Sequence, residues 1–301
     1  MTPAGTLAHR PRIRSPARPV DLGVLLLVLL AAVLHATWNA LVKAGDDPLV
    51  MTTFVMTVPC LASIAPLFAL PPLQAAAIPF LVISLVVHYV YFFVLLGAYR
   101  YGDLSQVYPI ARGAAPALVA VEAWIFEGEA LRTSEVAGVL IVSAGIMSLA
   151  WRRGGAAHHT ELKAIGFAFL TALTIAIYLL ADGMGVRRAG HPLTYICWFF
   201  LLQGIPLIGF TLWRRRGRVA QVVRAHIKLG LIGGTVGGIS YSIAIWAMGV
   251  GPIAHVVAIR ETSVLFAAAI GAFLLKEPFG AYRIAAAAVV ASGAVLLNLG
   301  I

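Results

Sequence analysis

The chain has 301 residues, of which 61% are hydrophobic and only 11% charged, with a mean hydropathy of +0.94. Soluble domains carry roughly 25% charged residues, so this composition excludes a large soluble domain and describes a polytopic membrane protein whose solvent is largely the lipid bilayer. The net charge of +10 would suggest nucleic acid in a soluble protein. Here the basic residues collect at span ends and in loops, where they meet lipid phosphates, and nucleic acid is not a partner.

Residues 1–20 contain Arg10, Arg12, Arg14 and Arg18 among Pro and Ser. They read as a basic flexible tail before an uncleaved first span, because the apolar run that follows is too long for a signal-peptide core. Apolar runs then predict ten membrane-spanning helices, at 21–43, 49–70, 75–99, 104–125, 133–151, 163–182, 192–213, 228–250, 252–275 and 281–300. Each is close to the ~20 residues needed to cross ~30 Å of hydrocarbon at 1.5 Å per residue. Gly and Pro punctuate the junctions, as in GVGP at 249–252. GDDP at 45–48 reads as a turn rather than a metal site, and an isolated strand is excluded because its backbone could not be satisfied in lipid.

The halves repeat. One offset of 148 positions places Arg112 on Arg260, Glu129 on Glu277, and Gly145 on Gly293. Residues 21–151 and 160–300 thus form two five-helix units, and an odd number of helices makes the second enter from the opposite face. The expected architecture is an all-α membrane protein of ten transmembrane helices in a 5+5 inverted-topology repeat, with any substrate site near mid-membrane between the repeats. Small residues at four-residue spacing, Gly230, Gly234 and Gly238 with Ala267 and Gly271, read first as helix-packing faces.

The stretch YGDLSQVYPIARGAAPALVAVEAWIFEGE, its counterpart VGPIAHVVAIRETSVLFAAAIGAFLLKEP, and the acids Glu129 and Glu277 after the fourth and ninth spans resemble the EamA family of the drug/metabolite transporter superfamily. HATWNALVK in the first span is similar to one subgroup. The resemblance covers about residues 21–300 and implies a multi-pass exporter of small metabolites in the bacterial inner membrane, with cytoplasmic termini and amino acids, aromatic ones included, as the leading solutes. Departing from many members, Val257 and Val264 stand at the positions offset from Pro109 and Pro116.

A charge in hydrocarbon costs about 2.5–3.5 kcal/mol on insertion scales, so it faces a partner or a wet cavity. Arg112 and Arg260 therefore either receive a substrate carboxylate as a bidentate partner or lock the interface between repeats. Adjacent helical residues project about 100° apart, so Arg260 and Glu261 are expected to have separate partners. Glu261 is the candidate for proton coupling, with a fixed ion pair to Arg112 as the alternative, since burial disfavours the charged form of an acid. Glu122, near a span end beside Trp124, is a second coupling candidate. His35, Trp38 and Asn39 lie within a turn of one another in the first span. His88 and Tyr91 share a face of the third, and Tyr108 precedes Arg112 by one turn. Tyr178 and Trp198, with Ser242 and Trp246, can complete a cavity suited to an amphiphilic solute, although packing is the default role of any one aromatic.

Enzyme readings lack support: HExxH is absent, and Ser242 in GGISYS has no glycine pattern of a nucleophile elbow. Cys60 and Cys197 read as small apolar side chains, no metal or cofactor is specified, and the complete repeat permits a monomer. The alternative function is proton-coupled efflux of lipophilic cations or drugs, which relies in small multidrug transporters on an acid in the first span; here that span offers His35 and Asn39. Loop charge opposes the family orientation, since RRRGRVAQVVRAHIK and its neighbours concentrate Lys and Arg on the face opposite the termini. A green fluorescent protein fused after residue 301 is expected to fluoresce, reporting a cytoplasmic terminus; dark fusions, with an active phosphatase fusion at the same point, would invert the topology.

Overall fold

The computed structural model describes residues 21–44, 48–102, 104–150, 162–216, 219–274 and 281–299. The basic tail, residues 45–47 of the turn expected at 45–48, and Glu277 lie outside them. Among the described residues there are helices and no strands. In chain order these are α1 (Leu22–Ala44), α2 (Pro48–Leu67), α3 (Ile78–Tyr101), α4 (Leu104–Glu127), α5 (Thr133–Ser148), α6 (Leu162–Arg187), α7 (Pro192–Arg214), α8 (Val219–Val250), α9 (Ile253–Glu261), α10 (Ser263–Leu274) and α11 (Ala281–Leu299).

Among the described residues, seven helices are long and apolar enough to cross a membrane, namely α1 to α4 and α6 to α8. The chain is a multi-pass membrane protein, and its outer surface is greasy: Leu22, Phe93, Leu96, Trp124 and Phe126 are all more than half exposed, as lipid-facing side chains are. The 16-residue α5 and the apolar part of α11 are shorter.

The expected ninth span differs most. Instead of one helix over 252–275, α9 ends at Glu261, Thr262 forms a turn, and α10 begins at Ser263. The Thr262 hydroxyl and amide both donate to the Ile259 carbonyl, at 2.6 and 3.1 Å, and Leu265 N–H donates to Thr262 O at 2.8 Å. These three-residue bonds tighten the chain and interrupt the helical ladder without proline. The break falls directly after the two charges of the span.

The helices pair in a regular way: α3 with α6, α1 with α8, α2 with α7, α5 with α11, and α4 with α6, α5 and α9. Small residues set the closest approaches. A Cβ on Gly138 would lie 2.8 Å from the Gly293 carbonyl, and one on Gly293 would lie 2.9 Å from the Gly138 carbonyl, so α5 and α11 meet backbone to backbone. On α8, a Cβ on Gly234 would sit 2.6 Å from the Phe54 carbonyl of α2. Because rigid backbone borders these positions, side chains cannot be absorbed by rotamer changes, and overpacking costs about 1–3 kcal/mol. Gly293→Leu is expected to lower the thermal midpoint in detergent by several degrees, whereas Gly209→Ala, with nothing within 4 Å of its Cβ, leaves it unchanged.

Candidate functional site

α1, α4 and α9 bring four ionisable side chains together in the interior. His35, Arg112, Arg260 and Glu261 are each no more than 8% exposed. His35 is at the centre: its Nε2 lies 2.9 Å from Arg112 Nη2 and its Nδ1 lies 3.1 Å from Arg260 Nη2. The Trp38 indole N–H also points at Nδ1, at 3.2 Å, and Asn39 donates to the His35 carbonyl one turn back at 2.7 Å. Glu261 Oε2 is 3.0 Å from Arg112 Nε, an ion-pair distance without hydrogen-bond alignment, and Glu261 Oε1 is 4.0 Å from Arg260 Nη1.

Sequence spacing explains the convergence. Arg260 and Glu261 close the last turn of α9, directly before the turn at Thr262. Arg112 lies in the middle of α4, between Pro109 and Pro116, which both stand inside the helix. Each proline removes a backbone donor and frees a carbonyl in that stretch.

Aromatic rings wall the cluster. The His88 ring lies over Tyr178 with centroids 3.8 Å apart, Tyr91 meets Tyr178 at 6.0 Å, and Phe199 and Tyr241 stand 5.2 and 6.0 Å from His88. The Arg112 guanidinium is 6.0 Å from the Tyr108 ring centroid and that of Arg260 is 5.2 Å from Tyr241, both within cation–π range. Trp198 and Trp246 pack against the surrounding apolar core, without a polar contact to the charged cluster. Ser242 is half-buried on α8. Glu122 stands apart, near the end of α4, with a buried oxygen that has no hydrogen-bond partner.

Sequence reasoning missed Asp182 and its hydroxyl partners. The expected sixth span ended at Asp182, but α6 runs on to Arg187, which draws Asp182 more than a turn inside. It is fully buried and accepts hydrogen bonds from Tyr195 at 3.0 Å and Tyr241 at 2.5 Å. The available signal was a carboxylate within a long apolar run, the same signal that singled out Glu261.

A second polar network, also unforeseen, binds helix ends on the side where α1 begins. Arg187 donates to Glu127 and Glu129 at 3.1 and 2.6 Å and to the carbonyls of Met248 and Gly251 at 2.9 and 2.7 Å. Arg188 donates to Glu127 at 2.6 Å and to Met184 O at 2.9 Å. Glu129 also accepts from Ile253 N–H at 2.9 Å, placing an anion at the N-terminus of α9, where helix dipole and free amides favour it. Gly128, at φ +68°, makes the turn that brings Glu129 back.

Among the described residues no three His, Cys, Asp or Glu side chains group as metal ligands. The site is therefore one of guanidinium, imidazole, phenol and carboxylate. Removing one partner of a buried ion pair strands the other, at about 3–5 kcal/mol. Glu261→Gln is expected to lower the unfolding free energy by an amount of that order. The double variant Arg112→Gln/Glu261→Gln should recover part of it, measured by thermal unfolding in one detergent.

Residues 162–299 match the model of the EamA-like transporter family. No curated protein matches the chain. A solved structure, described as the crystal structure of a protein, superposes with a TM-score of 0.71 at 18% identity over 92% of this chain and 96% of its own. At that identity the likeness establishes the fold alone.

Proposed function

We propose that the whole chain, and not only the matched second half, is an EamA-type transporter that exports small carboxylate-bearing metabolites by alternating access, amino acids among them. The observation that carries this reading is the convergence of Arg112 and Arg260, 148 positions apart in the sequence, on one imidazole inside a membrane protein. Intramembrane charges of this kind mark solute pathways. Guanidiniums recognise carboxylates through paired donors, and two of them repel the lipophilic cations of the alternative reading.

Helix pairing supports two five-helix repeats at 21–151 and 160–300. Exchanging the halves turns α3·α6 into α8·α1, carries α4·α6 into the pairing of α1 with α9 and α10, and returns α2·α7, α4·α9 and α5·α11 to themselves. A two-fold relation between the halves would give these pairings, and transporters whose repeats are related by an axis in the membrane plane bind substrate where the repeats meet. His35, Arg112 and Arg260 stand there, and His88, Tyr91, Tyr108 and Tyr178 shape the space beside them. Trp38 and Asn39 hold His35, while Trp198, Ser242 and Trp246 belong to the outer wall. Glu261 and Glu122 are the acids available for proton coupling. The Arg187 network closes the termini side, and rocking of the repeats opens it in exchange for the other. The bacterial inner membrane is the proposed location, with both termini cytoplasmic and a monomer sufficient for transport.

Proteoliposomes preloaded with labelled alanine and phenylalanine are expected to release them faster than protein-free vesicles. Arg112→Gln should reduce the rate by at least about tenfold, as loss of a charged hydrogen-bond pair worth ~1.5–3 kcal/mol requires. An imposed pH gradient that changes the native rate would assign proton coupling. Unaltered flux in Arg112→Gln would make Arg112 a structural lock.

A further inference from the structure

Hydrogen-bond donors outnumber acceptors at the centre of the site. Three N–H donors converge on the two nitrogens of His35: Arg112 Nη2 at 2.9 Å, Arg260 Nη2 at 3.1 Å and Trp38 Nε1 at 3.2 Å. A neutral imidazole accepts at one nitrogen and donates from the other, while guanidinium and indole can only donate. Whichever tautomer forms, one His35 N–H faces another N–H. A protonated imidazole would set three donors against two and add a third positive charge.

Nearby acceptors do not make up the difference. Arg260 Nε and Nη1 are buried without a hydrogen-bond partner. Glu261 is the one carboxylate within ion-pair distance of either guanidinium among the described residues, so two guanidiniums share one anion. Even if its two unaligned oxygens turned to satisfy Arg112, the Arg260 donors and the His35 N–H would remain. Asp182, the other buried acid close by, accepts hydrogen bonds from the Tyr195 and Tyr241 hydroxyls and feels the Arg260 charge only from beyond ion-pair distance. Unsatisfied buried donors cost about 1–3 kcal/mol each, more when charged, so the arrangement is stable once an external acceptor joins it.

From this surplus we infer that the site selects net-anionic solutes, whose oxyanion bridges Arg112, Arg260 and His35, over zwitterions carrying the same carboxylate. The inference rests on the transport reading above and narrows its solute class. An oxyanion accepts from both guanidiniums and from the imidazole N–H at once, with charge-assisted bonds. An ammonium on the same solute would enter beside two guanidiniums and compete with them for Glu261 alone, a like-charge contact in a region of low dielectric. The aromatic wall of His88, Tyr91 and Tyr178 accommodates an apolar side chain on either kind of solute, so the ammonium decides between them.

The test uses pairs that differ only in that group: lactate against alanine, and 3-phenyllactate against phenylalanine. Counterflow of each labelled solute is measured in proteoliposomes containing the full chain, with the rate of protein-free vesicles subtracted, and tetraphenylphosphonium serves as the cation probe. The hydroxy acids are expected to enter about tenfold faster than their amino counterparts. Arg260→Gln should shrink that ratio to within about twofold, and Arg260→Lys, which keeps the charge but not the planar donors, should give an intermediate value. Equal or faster entry of alanine and phenylalanine would overturn the inference and leave the carboxylate transporter standing. Entry of tetraphenylphosphonium alone, or of none of the five probes, would remove the transport reading on which it rests.

Discussion

The centre of this protein is arranged around two guanidiniums that are almost wholly buried. Arg112 and Arg260 lie in the middle of a bundle whose outer surface is leucine, phenylalanine and tryptophan, and neither can be neutralised by losing a proton. Their charge has to be met by protein groups brought from other helices. Glu261 supplies a carboxylate and His35 an imidazole, while the Tyr108 and Tyr241 rings offer their faces. Since these come from α1, α4, α8 and α9, the charges join helices from both ends of the sequence. A lipid-facing helix gains little from apolar contact with its neighbours, because lipid tails are equally apolar. Polar convergence of this kind therefore has an unusual share in deciding which helices meet.

The same charges stand where the α9–α10 segment breaks. α9 ends at Glu261 and gives its last turn to the site, while both α9 and α10 pack on α1. In the tight turn at Thr262 the hydroxyl joins the amide in donating to the Ile259 carbonyl, which keeps the hydroxyl satisfied inside a lipid-embedded bundle.

Membrane character and the long helices were legible in the sequence, because hydrophobic length is a direct requirement of the bilayer. The unusual charges were legible for the same reason: Arg112, Arg260 and Glu261 stand out in apolar runs. Partnership was legible only in part: the Arg112–Glu261 pair stood as an alternative to proton coupling and is present at 3.0 Å. Nothing along the chain says that His35 would sit between two arginines, since that depends on how α1 crosses α4 and α9. Asp182 was displaced to a span end by an error of a few residues in the boundary of α6. The α9 break was hidden because Thr262 is neither Gly nor Pro, and its cause is tertiary. The Arg187 network was invisible for another reason: charges at span ends are the norm, and only the fold distinguishes a solvated one from one that clamps its neighbours.

That clamp has a consequence for the kind of motion available to the molecule. The nitrogens of a single guanidinium, on Arg187 in the last turn of α6, hold the carboxylate that ends α4 and one just beyond it, a carbonyl of α8 and a carbonyl just before α9, while Glu129 also holds the first amide of α9. These bonds share one planar donor group, so stretching one misaligns the others, and they cannot be released one after another at independent cost. On the transport reading proposed above, the helix ends on that face would therefore separate as a set rather than one at a time, and such joint release would link the arrival or departure of a small solute to movement on the scale of whole helices.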